Sequence, residues 1–264
     1  MRDLMLDLPA WLVMAFVALL SATLAIAVLI YLRRHIPYDK YKENHEVGGF
    51  LFNALGLIYA VIVAFVIYVS WSEYTEAVNY SEAEITALRS IYHNSKSFRP
   101  DVTEKIRTAI VSYTEAVIKD EWKLLGEGKV SEKARNEHLK LWNLVLTEPE
   151  LKHIETDAVF QQCLVDLDEL SKARVMRIAT SRKNIPFVVW TVIMIGALTS
   201  VGFSLFFGTR DLKIQATMTA LFAMTNALIM LLIFFLDHPF SGETGLSSDA
   251  YKEFLEVIRT HSNF

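Results

Sequence analysis

The sequence predicts an all-α membrane protein with four transmembrane helices and a long helical soluble insert between spans two and three. Three observations predict it. Four apolar stretches, Trp11 to Leu32, Phe50 to Val69, Phe187 to Phe207 and Ala216 to Leu236, contain no formally charged residue. Each matches the roughly 20 residues that a helix rising about 1.5 Å per residue needs to cross a hydrocarbon core. They form two pairs around a polar, charge-rich segment, residues 72–184. Helices are the expected spanning form, because bare backbone polar groups in lipid are costly while isolated side chains such as Asn53, Thr191, Ser200, Thr219 and Asn226 fit inside a bundle. The 53% hydrophobic content agrees.

The first stretch follows Arg2, Asp3, Asp7 and Pro9 and ends in Tyr31-Leu32-Arg33-Arg34, which reads as a retained anchor rather than a cleaved signal peptide with a small-residue processing site. The connection from Arg33 to Gly49 carries His35-Ile36-Pro37-Tyr38 and closes on Gly48-Gly49, a pair that permits a turn or close packing. The second span does not stop at a turn. Tyr74, Ala77, Ser81, Ile85, Leu88 and Tyr92 continue a three-to-four-residue spacing, with Glu73, Glu76, Glu82 and Glu84 on the remaining surface, so one helix is expected to leave the bilayer for several turns. Pro100 marks a break, and Asp101 is the expected cap of a helix carrying Val102, Ile106, Ile110, Tyr113 and Val117.

Gly126 and Gly128 interrupt again. Ser131 and Glu132 open a helix centred on Leu139, Trp142, Val145 and Leu146, and the last insert helix is expected to begin at Glu148 to Glu150 and run toward the third span. After the fourth span, Asp237-His238-Pro239-Phe240-Ser241-Gly242 forces a stop. Ser247 or Ser248 then caps an amphipathic helix with Tyr251, Phe254, Leu255 and Ile258 on one face, expected at the membrane interface or against the insert. The divisions are therefore 1–71, 72–184, 185–237 and 238–264.

An even number of crossings puts both termini and the insert on one side. Arg33, Arg34, Lys40, Lys42, Arg210 and Lys213 flank the short connections, and Arg2, Lys172, Arg174, Arg177, Arg182 and Lys183 lie opposite. This near balance leans only slightly toward a cytoplasmic insert. The single cysteine, Cys163, forbids an intrachain disulfide and agrees with a reducing compartment. Basic and acidic residues are nearly balanced in the insert, so a nucleic-acid partner is not expected. Asn79-Tyr80-Ser81 matches a glycosylation triplet inside a helical pattern and carries no weight.

Catalytic and cofactor motifs are absent: there is no phosphate-binding glycine loop, no HExxH, no nucleophile elbow and no paired-cysteine metal pattern. No enzyme, cofactor or metal site is expected. The insert's His93, His138 and His153 are widely spaced and are expected to be solvated or hydrogen-bonded. In the second span, Gly49, Asn53, Gly56, Ala60 and Ala64 form a small-residue stripe suited either to close helix packing or to lining a narrow conduit. Leu57, Ile62 and Phe65 are candidates for an apolar constriction. Glu73 and Glu76 are candidates for a pore mouth, with a solvated helix face as the plainer alternative.

Gly49-Phe50-Leu51-Phe52-Asn53-Ala54-Leu55-Gly56-Leu57-Ile58-Tyr59-Ala60-Val61, then Ala64-Phe65 and Trp71-Ser72-Glu73-Tyr74, resembles the second-span signature of the bestrophin-like proteins grouped under DUF4239. Ile185-Pro186 with Trp190, and Leu236-Asp237-His238-Pro239-Phe240-Ser241-Gly242, fit the same family, although His238 stands where Arg or another polar residue is common. The resemblance covers nearly the whole chain. It implies bestrophin-like packing in a homo-oligomer, a pentamer by analogy with true bestrophins, which are anion channels with second spans around the axis. The neck would then fall around Asn53 to Phe65. The aromatic neck and calcium-clasp residues of animal bestrophins have no clear counterparts here, so calcium gating does not carry over. The resulting expectation is an oligomeric channel for small ions, surrounded by membrane lipid in a bacterial inner or plasma membrane. The alternative is a non-conducting scaffold or sensor whose insert binds a partner.

Overall fold

The computed structural model describes residues 8–35, 45–148, 151, 157–207, 209 and 211–260. The elements are α1 (Ala10–His35), α2 (His45–Ser95), α3 (Pro100–Ala116), a π-helical turn (Val117–Glu121), α4 (Trp122–Leu125), α5 (Glu132–Thr147), α6 (Ala158–Thr180), α7 (Phe187–Ser204), α8 (Leu212–Leu236) and α9 (Asp249–Thr260). No strand occurs among the described residues. Among the described residues four helices are long and apolar enough to cross a membrane: α1, α2, α7 and α8.

Local sequence accounts for most helix ends. Ser131 Oγ accepts from the Ala134 N–H at the start of α5, and Asp157 and Asp211 do the same for Val159 and Lys213 at α6 and α8. These side chains satisfy donors that the first helical turn leaves unpaired. The expected cap at Asp101 is corrected. Pro100 is itself the first residue of α3 and Arg99 stands at the cap position without a side-chain bond, so Asp101 lies inside the first turn. Proline already has the φ that position needs, and it lacks the N–H that would need a partner. The described start of α6 is Ala158, later than the expected start at Glu148 to Glu150: Glu148 ends α5, and residues 149–150 lie outside the described residues. Gly128 has φ 69°, a left-handed turn that favours glycine.

The chain forms two compact units. One comprises Met1–Ser72, Asn184–Asp237 and Gly242–Thr244, the other Glu73–Lys183, His238–Ser241 and Gly245–Phe264. α2, 51 residues long, gives its first half to the membrane unit and its second to the insert unit.

Within the membrane unit, α1 lies along α8 and α7 packs on α8. Val63 and Val66 of α2 meet Ile193 of α7 and Ile233 of α8, with Tyr59, Ile62 and Trp190 at the edge of this cluster. Within the insert unit the core runs from Ile85, Leu88 and Ile91 of α2 through Ile106, Ile110 and Tyr113 of α3 to Leu167 and Leu170 of α6. The α9 face expected from sequence, Tyr251, Phe254, Leu255 and Ile258, is buried, and all but Leu255 join that core. The segment before α9 is also built in. Trp122 Nε1 donates to the Leu246 carbonyl at 2.8 Å, and a Cβ at Gly126 would meet the Phe240 carbonyl oxygen at 2.9 Å.

Candidate functional site

The small-residue stripe lies on the flank and open side of α2. Asn53, Ala60 and Ala64 are exposed within the chain, whereas Gly49 and Gly56 are partly covered. A Cβ at Gly48 would touch the Phe207 ring at 3.6 Å, so this end of α2 lies close to an aromatic cluster. In that cluster Phe52 meets Phe203, Phe207 and Phe222 with ring centroids 5.8, 5.4 and 6.0 Å apart.

The three constriction candidates do not share one face. Leu57 and Phe65 stay exposed, at 69% and 66%, while Ile62 packs against the in-chain cluster of Val63, Val66, Ile193 and Ile233. At 3.6 residues per turn, Phe65 lies about 80° from Leu57 around the helix and Ile62 about 140° from it. The open side also presents Val61 and Tyr68.

Polar contacts fasten both ends of the membrane unit. Asp237, only 6% exposed, accepts from the Ile185 N–H at 2.6 Å and from Trp190 Nε1 at 3.2 Å. A carboxylate here is favoured by the unpaired N–H groups at the start of α7. At the other end Arg33 donates to Gln215 Oε1 and to the Thr209 carbonyl, and Gln215 Nε2 donates to the Leu205 carbonyl at 3.3 Å. Sequence reasoning singled out Ile185, Trp190 and Asp237 without foreseeing that they bond to one another.

In the insert unit, Glu76 pairs with Lys183 at 2.9 Å, and this bond raises the lysine pKa. Glu73 is half-buried. The open face of α2 here carries Asn79, Glu82, Thr86, Arg89 and His93. Glu84 is a correction to the expected solvated surface, since it is fully buried. It accepts from Arg177 Nε at 2.8 Å, from Arg177 Nη2 at 3.1 Å and from the Tyr113 hydroxyl at 2.6 Å. Arg177 Nη2 also donates to Glu121 at 2.8 Å, and Arg174 reaches the other oxygen of Glu121 at 2.5 Å. Two carboxylates and two guanidinium groups thus close a neutral network, with Trp122 and Tyr251 rings 5.7 and 5.8 Å from the Arg177 guanidinium carbon.

Glu121 lies in the π-helical turn, which the Trp122 N–H closes on the Val117 carbonyl. A legible signal existed for all four: at helical spacing Glu121 follows Ile110, Thr114 and Val117. Glu84 falls on the same helical stripe as Ala77, Ser81, Leu88 and Ile91, and Arg174 and Arg177 continue the stripe of Leu167 and Leu170.

Trp142 Nε1 donates to Ser171 Oγ at 2.7 Å, and Ser171 Oγ donates to the Leu167 carbonyl at 2.9 Å. With that hydroxyl proton committed, His138 Nε2, 3.0 Å from Ser171 Oγ, is assigned as the donor. Burial, with the Arg174 charge adding to it, pushes the His138 pKa down to about 4. Cys163 is fully buried and its thiol is pushed up to about 12 by burial and by Asp166. Among the described residues no group of His, Cys, Asp and Glu is close enough to hold a metal ion.

A comparison with curated proteins returned no match. Among solved structures, a point variant of a bacterial bestrophin homologue from Klebsiella pneumoniae aligns with a TM-score of 0.73 at 16% identity, covering 95% of this chain and 99% of that one. Another crystal structure of that homologue gives 0.72 at 15% identity, covering 94% and 98%. A structure described only as a membrane protein variant gives 0.74 at 16% identity, covering 94% and 98%. At these identities the likeness establishes the fold. The family model for the Bestrophin-like domain matches residues 17–251, and the chain therefore belongs to the Bestrophin-like family.

Proposed function

We propose that this protein is a homo-oligomeric channel for small ions, with the open face of α2 lining the conduit. The observation that carries this reading is the incomplete cover of α2. Only 11% of its most apolar 18-residue stretch is buried within the chain, against 28% for α1 and 33% for α8. That open face is not uniformly lipid-like: it mixes Asn53, Ala60 and Ala64 with Leu57 and Phe65. Several copies around an axis would cover it and enclose a narrow path, since one chain with four spans has little room for its own pore. A pentamer agrees with the family resemblance.

In this reading Leu57 and Phe65 are the dewetting side chains, and Ile62 acts from behind as packing. Glu76 carries its own countercharge in Lys183, so Glu82, exposed on α2, is the stronger source of cation-attracting field in the insert. The reaction is transport rather than catalysis. Small inorganic ions are the substrate, lipid surrounds the spans, and the insert faces the cytoplasm.

Purified protein reconstituted in liposomes tests this against the scaffold reading. A channel gives salt-gradient-driven flux that rises when Leu57 or Phe65 is replaced by Ala. Intact oligomers that pass no ions across a range of voltage, pH and divalent-ion conditions would count for the scaffold.

A further inference from the structure

Among the described residues of the membrane unit, two hydroxyl oxygens, Tyr59 Oη and Ser200 Oγ, are buried without a hydrogen-bond partner. Ser200 is only 1% exposed. It departs from the habit of its neighbours. Ser21, Ser70, Thr191, Thr199 and Thr225 each donate back to a carbonyl three or four residues earlier in their own helix. That back-bond is the usual way a hydroxyl is satisfied in lipid.

Helix packing brings the two oxygens toward one place. α2 and α7 run antiparallel, because Phe52 meets Phe203 while Val63 and Val66 meet Ile193. Between those levels the Tyr59 ring lies on Gly196, where an added Cβ would fall 2.7 Å from Cε2. Only a glycine admits the ring so closely. Helical side chains lean toward the N-terminus of their own helix, so the hydroxyl end of Tyr59 points from the level of Gly196 toward that of Phe203. Ser200 lies between those two levels, one turn beyond Gly196 on the same face of α7. Gly56, one turn back from Tyr59 on α2, leaves space beside it, since a Cβ there would meet nothing within 4 Å.

We infer that Tyr59 and Ser200 together bind a buried water molecule that bridges α2 to α7 inside the membrane. Water is the fitting ligand because each hydroxyl can donate or accept, so a neutral molecule with two donors and two acceptors satisfies both. An ion would have no countercharge in this apolar setting. The site joins α2, the least covered of the four spans, to its in-chain neighbour α7. This inference does not depend on conduction.

The test is a double-mutant cycle on the thermal midpoint of the purified full-length protein in one detergent, with Tyr59→Phe, Ser200→Ala and both together. A bridging water predicts that each single change lowers the midpoint, since it strands the other hydroxyl's water. It also predicts that the double change costs clearly less than the two shifts added. Dry, unpaired hydroxyls predict the opposite sign: Tyr59→Phe leaves the midpoint unchanged or raises it, and the two changes add. Either of those results overturns the proposal. An electron cryomicroscopy map that resolves ordered water supplies a second reading. Density within hydrogen-bond reach of both oxygens supports the site, and its absence there, with waters visible elsewhere, overturns it.

Discussion

Arg177 is fully buried beneath Trp122 and Tyr251, with Glu84 and Glu121 as its ionic partners. Removing one member of such a group leaves charge buried without compensation, which costs about 3–5 kcal/mol, whereas an exposed pair is worth about 0–1 kcal/mol. Arg177→Met is therefore expected to lower the urea midpoint sharply. Lys183→Met, which breaks only the half-exposed pair with Glu76, is expected to shift it little. Equal small shifts would show that the network is solvated. His138 adds a pH term of definite sign. Its folded pKa, about 4, lies below the ordinary value of 6.5, so between these values the unfolded chain binds a proton that the folded chain does not, and stability falls as pH falls through that window. Unfolding followed from pH 7 to 4 should show this loss, and His138→Gln should remove part of it. An unchanged pH profile in the variant would mean that His138 titrates normally. None of these four network residues was legible as a site from charge alone. Their positions on core stripes were visible, Glu121 included, since at helical spacing it follows Ile110, Thr114 and Val117; the local pattern could not show that these stripes converge on one another.

At the scale of elements, the sequence makes α2 legible as a helix that outlives its membrane span: the apolar run ends near Trp71 while the three-to-four-residue spacing continues to Tyr92. The amphipathic face of α9 was equally plain, because Tyr251, Phe254, Leu255 and Ile258 recur at helical spacing and all are buried. What periodicity could not supply was which side of α2 its own chain covers. That depends on long-range neighbours, above all Gly196, whose missing side chain lets Tyr59 dock. Gly196→Leu should force the Tyr59 ring away and lower the thermal midpoint, while Gly202→Leu, at a glycine with nothing within 4 Å of its would-be Cβ, should be tolerated. Comparable losses at both positions would argue against close α2–α7 packing. The constriction candidates illustrate the same limit. Leu57, Ile62 and Phe65 look equivalent as apolar residues, yet Ile62 faces the in-chain cluster and the other two do not.

At the scale of the whole molecule, the central claim is that the side of α2 left open by its own chain faces water in the assembled protein. Cys163 helps to test it, since it is fully buried with a thiol pKa pushed up to about 12 and so does not compete for a thiolate-selective reagent. Single cysteines placed at Ala60 and Ala64, on the open side, and at Val63 and Val66, on the packed side, separate the faces within two helical turns. The decisive measurement is ion flux through liposomes reconstituted with each variant, before and after a charged, membrane-impermeant methanethiosulfonate reagent. The account predicts that modification changes flux at Ala60→Cys and Ala64→Cys and leaves it unchanged at Val63→Cys and Val66→Cys. Flux that responds only at the packed positions, or conducting oligomers in which none of the four responds, would contradict it.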